Sequence, residues 1–207
     1  MEDVLELYAE PYDPKRPVVC FDEKSFQLLE ETRVSQPVRP GQPALVDYEY
    51  RRKGTANIFM MVEPLGGWRE VTVTQQRTKL DFAAEMKRLV DVHYPAAERI
   101  RVVMDNLSTH TPASLYDAFP PAEARRLIRR LEFHFTPKHG SWLNMAEPEL
   151  SVLSKQCLDR RLGDRDVLAK EISAWTASRN AERSCIQWSF TAPAARQKLS
   201  RLYPVQS

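Results

Sequence analysis

The chain has 207 residues, 43% of them hydrophobic and 28% charged, with 30 basic against 28 acidic side chains. That length and balance fit one globular domain able to bury its own core without staples. A net charge of +2 is not the strongly basic footprint of a general nucleic-acid binder, so any polyanion must be met by local patches.

Residues 2–9 read as a short helix closed by Pro11 and Pro14. Val18-Val-Cys-Phe21 is an unbroken apolar run ending at Asp22, which suits a strand buried on both faces. Residues 33–47 carry Pro37, Pro40, Gly41 and Pro43 and read as a loop, followed by a basic turn at Arg51-Arg52-Lys53-Gly54. Ile58 to Val62 and Trp68 to Thr74 read as a hairpin around Pro64-Leu-Gly-Gly. The segment 79–94 has helical spacing at Leu80, Ala83, Met86, Leu89 and Val90, with Thr78 as N-cap.

Ile100 to Met104 is a further apolar strand, ending at Asp105. Residues 113–130 read as helix with a break at Pro120-Pro121. Leu131, Phe133 and Phe135 alternate with polar residues as in a strand. A loop over 137–141 leads into a helix reaching about Leu158, and another helix covers roughly 166–180. Trp188 and Phe190 in the tail are expected to pack on the body. This order predicts an α/β fold: a mixed five-stranded sheet flanked by helices, of the ribonuclease-H-like kind. The three cysteines (Cys20, Cys157 and Cys185) form no CxxC pair, which argues against a zinc knuckle and for reduced thiols. The longest apolar runs are about five residues, too short for a signal peptide or membrane span. A cytoplasmic, nucleoid-associated location without membrane contact is expected.

Three acids stand at the ends of these elements. Asp22 closes the first strand, Asp105 closes the fourth, and Glu147 opens the helix after the fifth. If strands one and four are neighbours, Asp22 and Asp105 meet despite their separation in sequence. Glu147 precedes the apolar stripe Leu150, Leu153 and Cys157, so it points toward the sheet. Three convergent carboxylates suit hard divalent ions, and a pair of such ions can serve phosphodiester chemistry. The same residues also suit bland roles: a strand-end turn at Asp22, turn initiation at Asp105-Asn106, and a capping arrangement of Asn144 with Glu147.

The stretches Val18-Val-Cys-Phe-Asp-Glu-Lys-Ser25, Val103-Met-Asp-Asn-Leu-Ser-Thr-His110 and His134-Phe-Thr-Pro-Lys-His-Gly-Ser-Trp-Leu-Asn-Met-Ala-Glu147 weigh against the bland roles. They resemble, in order, three blocks of the bacterial DDE insertion-sequence transposases related to the mariner superfamily. The resemblance extends to Tyr48–Phe59 and to Leu150–Cys157. It implies that Asp22, Asp105 and Glu147 are catalytic and bind the metal, Mg²⁺ or Mn²⁺, as two ions. It implies cleavage at terminal inverted repeats and transfer of the 3′-OH into target DNA by a homodimer. Relatives carry an N-terminal helix-turn-helix reader, which this chain is expected to lack, so that residues 1–207 form one catalytic domain behind a short linker helix. Pro148 departs from the pattern and puts the aim of Glu147 in question; one option is a helix starting near Pro148 with Glu147 as its cap. Glu149 is a backup, about 200° around the helix and pointing elsewhere.

Further residues are candidates for DNA contact: Arg51, Arg52 and Lys53 on the hairpin arm, Asn106 and His110 beside the second acid, and Lys138, His139 and Trp142 in the loop before the third. His110 alternatively orients a metal ligand. Glu23 is sent by strand alternation to the face opposite Asp22 and reads as structural. Arg125, Arg126, Arg129 and Arg130 give one helix a cationic face, which is most simply a solvated surface. Two alternatives stay open: a hydrolytic nuclease on the same fold, and a truncated copy that is inactive or regulatory. An aspartate-nucleophile phosphatase is disfavoured because position 24 is Lys.

Overall fold

A computed structural model describes residues 1–33, 40 and 48–203. Most of the loop expected over 33–47 lies outside the described residues. The chain forms a five-stranded mixed sheet in the order β3-β2-β1-β4-β5, with helices on both faces, as the sequence pattern predicts. The strands are β1 (Val18–Glu31), β2 (Tyr50–Glu63), β3 (Trp68–Thr74), β4 (Ile100–Met104) and β5 (Leu131–Phe135). Strands β1, β2 and β3 pair antiparallel, whereas β4 lies parallel to both β1 and β5.

Seven α-helices surround the sheet among the described residues: α1 (Glu2–Ala9), α2 (Lys79–Arg88), α3 (Ala113–Ala118), α4 (Pro121–Ile128), α5 (Ala146–Gln156), α6 (Arg165–Ala181) and α7 (Ala192–Lys198). None of the described helices is long and apolar enough to cross a membrane. Thr78 caps α2 through a full capping box with Asp81, and a π-turn at Leu89–His93 ends that segment. The expected break at Pro120-Pro121 separates α3 from α4.

Strand alternation divides the core in two. One face of the sheet carries Cys20, Leu28, Ile58, Met60, Val62 and Val103, which pack with Val4, Leu5 and Leu7 of α1, Leu150 and Leu153 of α5, and Leu168 and Ile172 of α6. The other carries Val19, Phe21, Phe59, Met61, Val102 and Met104, which pack with Phe82, Met86, Leu115 and Leu127 from α2 to α4. Each odd-to-even step along β1 therefore moves a side chain from one core to the other.

Two expectations about the long hairpin are corrected. Asp22 does not close the first strand; it is the fifth residue of a 14-residue strand. The basic segment Arg51–Gly54 is no turn but the opening of β2, paired with the outer half of β1. Residues 23–31 have a poor apolar pattern, yet their backbone pairs with β2 across a register shift between Gln27 and Leu29. Gly67, at φ +65°, packs so closely on the Arg183 backbone that a Cβ would fall 2.8 Å from its carbonyl oxygen. The turn between β2 and β3 is thus fitted against the chain leaving α6, and the Ile186 N–H donates to the Pro64 carbonyl (2.8 Å).

Candidate active site

The register of β1 on β4 brings the first two acids together. Val18 pairs with Arg101, Val19 with Val102, and Cys20 with Val103. Two residues further along each strand stand Asp22 and Asp105. Cys20 and Val103 both face the α5 core, so alternation points both acids the same way. All five residues of β4 are buried, and Asp105 is the first to emerge, its side chain about one-third exposed.

Glu147 comes from the opposite direction, on the first turn of α5. The helix begins at Ala146, so Glu147 is its second residue and not its cap. Pro148 falls third, where a backbone N–H has no partner within the helix in any case. Asn144 fixes this start against β1: its Nδ2 donates to the Phe21 carbonyl (2.8 Å), and its Oδ1 accepts from the Ala146 N–H (3.1 Å). Tyr8 of α1 supports the same loop by donating to the Leu143 carbonyl (2.8 Å). The loop is therefore tied one residue before Asp22.

The charges of both other acids reach Asp22. Burial pushes the Asp22 carboxyl up to about 7, and the negative charges of Glu23, Asp105 and Glu147 push the same way. The Glu23 backbone N–H, donating to Asp22 Oδ1 (2.8 Å), works against that rise. Asp22 thus stands among carboxylates with too little positive charge nearby, a situation that a cation relieves. The donors are all oxygens, the chemistry of a hard divalent ion. Among the described residues no group of three or more His, Cys, Asp or Glu is gathered closely enough to hold a metal. The donor set fits; a finished cage is absent.

Beneath the acids, on the opposite face of β1, Glu23 and His110 form a buried pair. The His110 side chain is 1% exposed and that of Glu23 4%. The imidazole Nδ1 lies 2.7 Å from Asp105 Oδ1, and Nε2 lies 3.0 Å from Glu23 Oε2. The second approach is an ion-pair contact rather than an aligned hydrogen bond, since Oε2 has no such bond. Phe21 and Phe82 pack on the ring at 5.3 and 5.1 Å. Burial alone would lower the imidazole pKa, but Asp105 and Glu23 outweigh it and raise it to about 9. His110 is then a cation at neutral pH and donates to Asp105.

The remaining candidates scatter. Asn106 is exposed just past Asp105, and Lys138 and His139 are exposed in the loop before α5. Trp142 is 41% exposed; Trp188 stacks on it at 6.1 Å and Phe190 meets it edge-on at 5.8 Å. Arg51 pairs in register with Glu30, eight residues beyond Asp22, or about 25 Å along the strand. Arg51, Arg52 and Lys53 are therefore not brought to the acids, and Lys53 lies 3.3 Å from Glu30. Glu149 does point elsewhere: it is buried between Arg69 and Arg179. Of the α4 cations, Arg126 is held by Asp91 and Glu123.

Reading the sequence misses the Glu23–His110 contact, the Asn144 tie and the Arg69 cluster. For the first a signal existed: a carboxylate on the buried side of a central strand needs a partner.

Comparison with known proteins bears on the whole arrangement. Three solved structures of Mos1 share the fold. The Mos1 mariner paired-end complex with Mn is 18% identical, with 88% of this chain and 54% of that one covered and a TM-score of 0.59. The Mos1 transposase paired-end complex with left transposon end is also 18% identical (86% and 53% covered, TM-score 0.56). The pre-cleavage Mos1 transpososome is 16% identical (88% and 59% covered, TM-score 0.55). The chain thus spans a little over half the length of the Mos1 chains it matches. No curated protein matches it. The family model for DDE superfamily endonucleases matches residues 17–169, a span that contains all three acids, and the chain belongs to that superfamily.

Proposed function

We propose that this chain is the catalytic domain of a transposase, which cuts DNA at the ends of a mobile element and joins the freed 3′ end to target DNA. The observation that carries the reading is the β1–β4 register. It sets Asp22 beside Asp105 on the face where α5 presents Glu147. One Mos1 structure of like fold is a paired-end complex with the left transposon end, and another is a paired-end complex with Mn.

DDE endonucleases work with divalent metal ions. In this reading Asp22, Asp105 and Glu147 are the catalytic acids and hold Mg²⁺ or Mn²⁺, two ions in all. The metal supplies Lewis acidity at the phosphate and a more acidic attacking oxygen. The protein's own part is to aim three anions at one region between β1, β4 and α5. Asn144 holds the start of α5 to β1, and His110 holds one oxygen of Asp105, leaving the other for a ligand. Glu23 braces the far side of His110. His110 is therefore assigned to positioning rather than to direct DNA contact, because its side chain is sealed from solvent. Asn106, next to Asp105 in the chain, and Lys138 and His139, in the loop before α5, are exposed and are assigned to DNA. Trp142, 41% exposed, is assigned to stacking on a base. Arg51, Arg52 and Lys53 would meet DNA well away from the reacting phosphate. Two copies of this chain would act together, one on each end of the element; the Mos1 structures of like fold are paired-end complexes.

The test uses a plasmid carrying the DNA that flanks the coding sequence, with Mg²⁺ or Mn²⁺. Cleavage at the element ends, lost in Asp22→Asn and Asp105→Asn, is the expected result. A second arm supplies pre-cleaved ends and a target plasmid. Joined products identify a transposase, whereas cleavage without joining identifies a hydrolytic nuclease. Full cleavage by either Asn variant overturns the site, and an inert parent chain means an inactive or regulatory copy.

A further inference from the structure

Beside Asp22 and Glu147 lies an open groove of about 420 Å³, lined further by Glu23, Lys24, Leu150, Ser151, Ser154 and Lys155. Its two walls have the same order of charge. On β1, Asp22 is followed at the next same-face position by Lys24. On α5, Glu147 is followed at helical spacing by Ser151, Ser154 and Lys155, positions i+4, i+7 and i+8 on one face. The walls also run the same way. Asn144 ties the start of α5 to Phe21 (2.8 Å), and Lys24 Nζ donates to Ser154 Oγ (2.6 Å) further along both elements. The groove is therefore acidic at one end and cationic at the other. Ser154 is itself fixed by donating to the Leu150 carbonyl (2.7 Å), which holds the Lys24 ammonium in place.

We infer that this groove is a subsite for the phosphate backbone of one DNA strand, gripped by Lys24, Ser151 and Lys155 on one side of the reacting phosphate. The inference rests on the DNA-cutting reading above and goes beyond it by naming the path the strand takes. Glu147 to Lys155 spans eight residues, about 12 Å of helix. That is the axial rise of about three phosphates at 3.4 Å each. An anionic strand lying there would have its reacting phosphate at the acids, where a cation is needed, and its next phosphates over the lysines. An apolar partner would leave the two ammonium groups facing no counter-charge.

The test is the salt dependence of binding to a short fluorescent duplex, measured by anisotropy in EDTA so that no cleavage occurs. For the Lys24→Gln/Lys155→Gln double variant, the plot of log affinity against log salt should flatten by about 0.7–0.9 for each lysine removed. The Lys24→Arg/Lys155→Arg variant should keep the parent slope. Arg125→Gln/Arg129→Gln makes the same charge change on exposed positions in and just after α4, across the sheet from the groove, and should also keep it. An unchanged slope in the Gln pair at Lys24 and Lys155 overturns the subsite. An equal flattening in the α4 pair overturns it too, because net charge alone would then explain the effect. If the parent chain shows no salt-dependent DNA binding, the DNA-cutting reading itself falls. If the parent binds DNA with the expected salt dependence and the Gln pair at Lys24 and Lys155 behaves like it, that reading stands and the subsite does not.

Discussion

Glu147 and Glu149 stand two residues apart on α5 and live in opposite electrical environments. Glu149 is 2% exposed and sits between two guanidinium groups. Arg69 Nε donates to its Oε1 (2.6 Å), and Arg179 donates from Nε (3.0 Å) and Nη2 (3.2 Å). Arg69 and Arg179 also reach the Ser184 carbonyl (2.6 Å) and hydroxyl (3.2 Å), so β3, α5, α6 and the tail meet at one compensated charge. Glu147 instead lines an open groove with Asp22, whose carboxyl also feels the charge of Asp105, and His110 offsets only part of that negative charge. The lesson is that a buried charge surrounded by partners holds a fold together, whereas one left short of partners is available to a ligand.

The two clusters should therefore fail differently. The largest expected effect is in the open cluster. Asp22→Asn and Asp105→Asn should each lower metal-dependent cleavage about 1000-fold or more while the circular-dichroism spectrum stays that of the parent. Glu149→Gln in the closed cluster should do the reverse. Taking the carboxylate away leaves the buried Arg69 guanidinium and the partly buried Arg179 without their shared anion, which costs about 3–5 kcal/mol. For a chain of this size that is a Tm lower by about 6–20 °C, read by calorimetry. Residual cleavage at low temperature should exceed that of Asp22→Asn. A stable but inert Glu149→Gln would erase the distinction.

His110 lies between the two kinds of behaviour, because it is buried like Glu149 yet touches an acid of the open cluster. His110→Asn should cost about 10–100-fold in activity or metal affinity, as expected when the group orienting a metal ligand is lost. Mn²⁺ binding followed by electron paramagnetic resonance separates this from a general loss of fold: affinity should fall even at temperatures well below the variant's Tm, where it is folded. If Mn²⁺ affinity is unchanged, His110 supports the core and nothing more.

The metal-free protein should also show the open cluster in its pH dependence. The folded state raises Asp22 from the ordinary 3.8 to about 7, so it binds that proton more tightly than the unfolded chain does. The associated stability is complete below about pH 4 and is lost as pH rises through 7. His110, raised from 6.5 to about 9, contributes stability that is complete below about 6.5 and lost as pH rises through 9. Both push Tm down as pH rises. Asp22→Asn should flatten the first window only, and added Mg²⁺ should lift Tm of the parent chain above pH 7. A Tm that rises between pH 5 and 8 in EDTA would contradict the raised carboxyl.

The difference between the clusters also explains what the sequence discloses. Strand β3 and the end of β4 at Asp105 are legible because their side chains alternate or are uniformly apolar. The outer half of β1 is not: residues 23–31 are held by backbone pairing with β2, which side-chain pattern does not record. Asp22 and Asp105 become neighbours once strand order is guessed, and the family resemblance supplies the wording around them. The groups that brace them escape because the contacts are long-range. Asn144 bonds a carbonyl 123 residues away, and Arg69 meets Glu149 across 80. Helical angle alone sufficed to read Glu149 away from the acids, since that depends only on local geometry.

Pro148 gives the smallest and most local prediction. From sequence it threatens the aim of Glu147, but a proline third in the helix gives up no intrahelical bond. What aims Glu147 is Asn144, through its bonds to Phe21 and Ala146. Pro148→Ala should therefore shift stability by no more than about 1 kcal/mol, acting chiefly through the unfolded chain, and leave cleavage close to that of the parent. Asn144→Ala removes a buried amide that both donates and accepts, and should cost about 1–3 kcal/mol with a clear loss of cleavage. If the two variants proved equal, or if Pro148→Ala were the worse, the aim of Glu147 would depend on the helix start itself and not on its tie to β1.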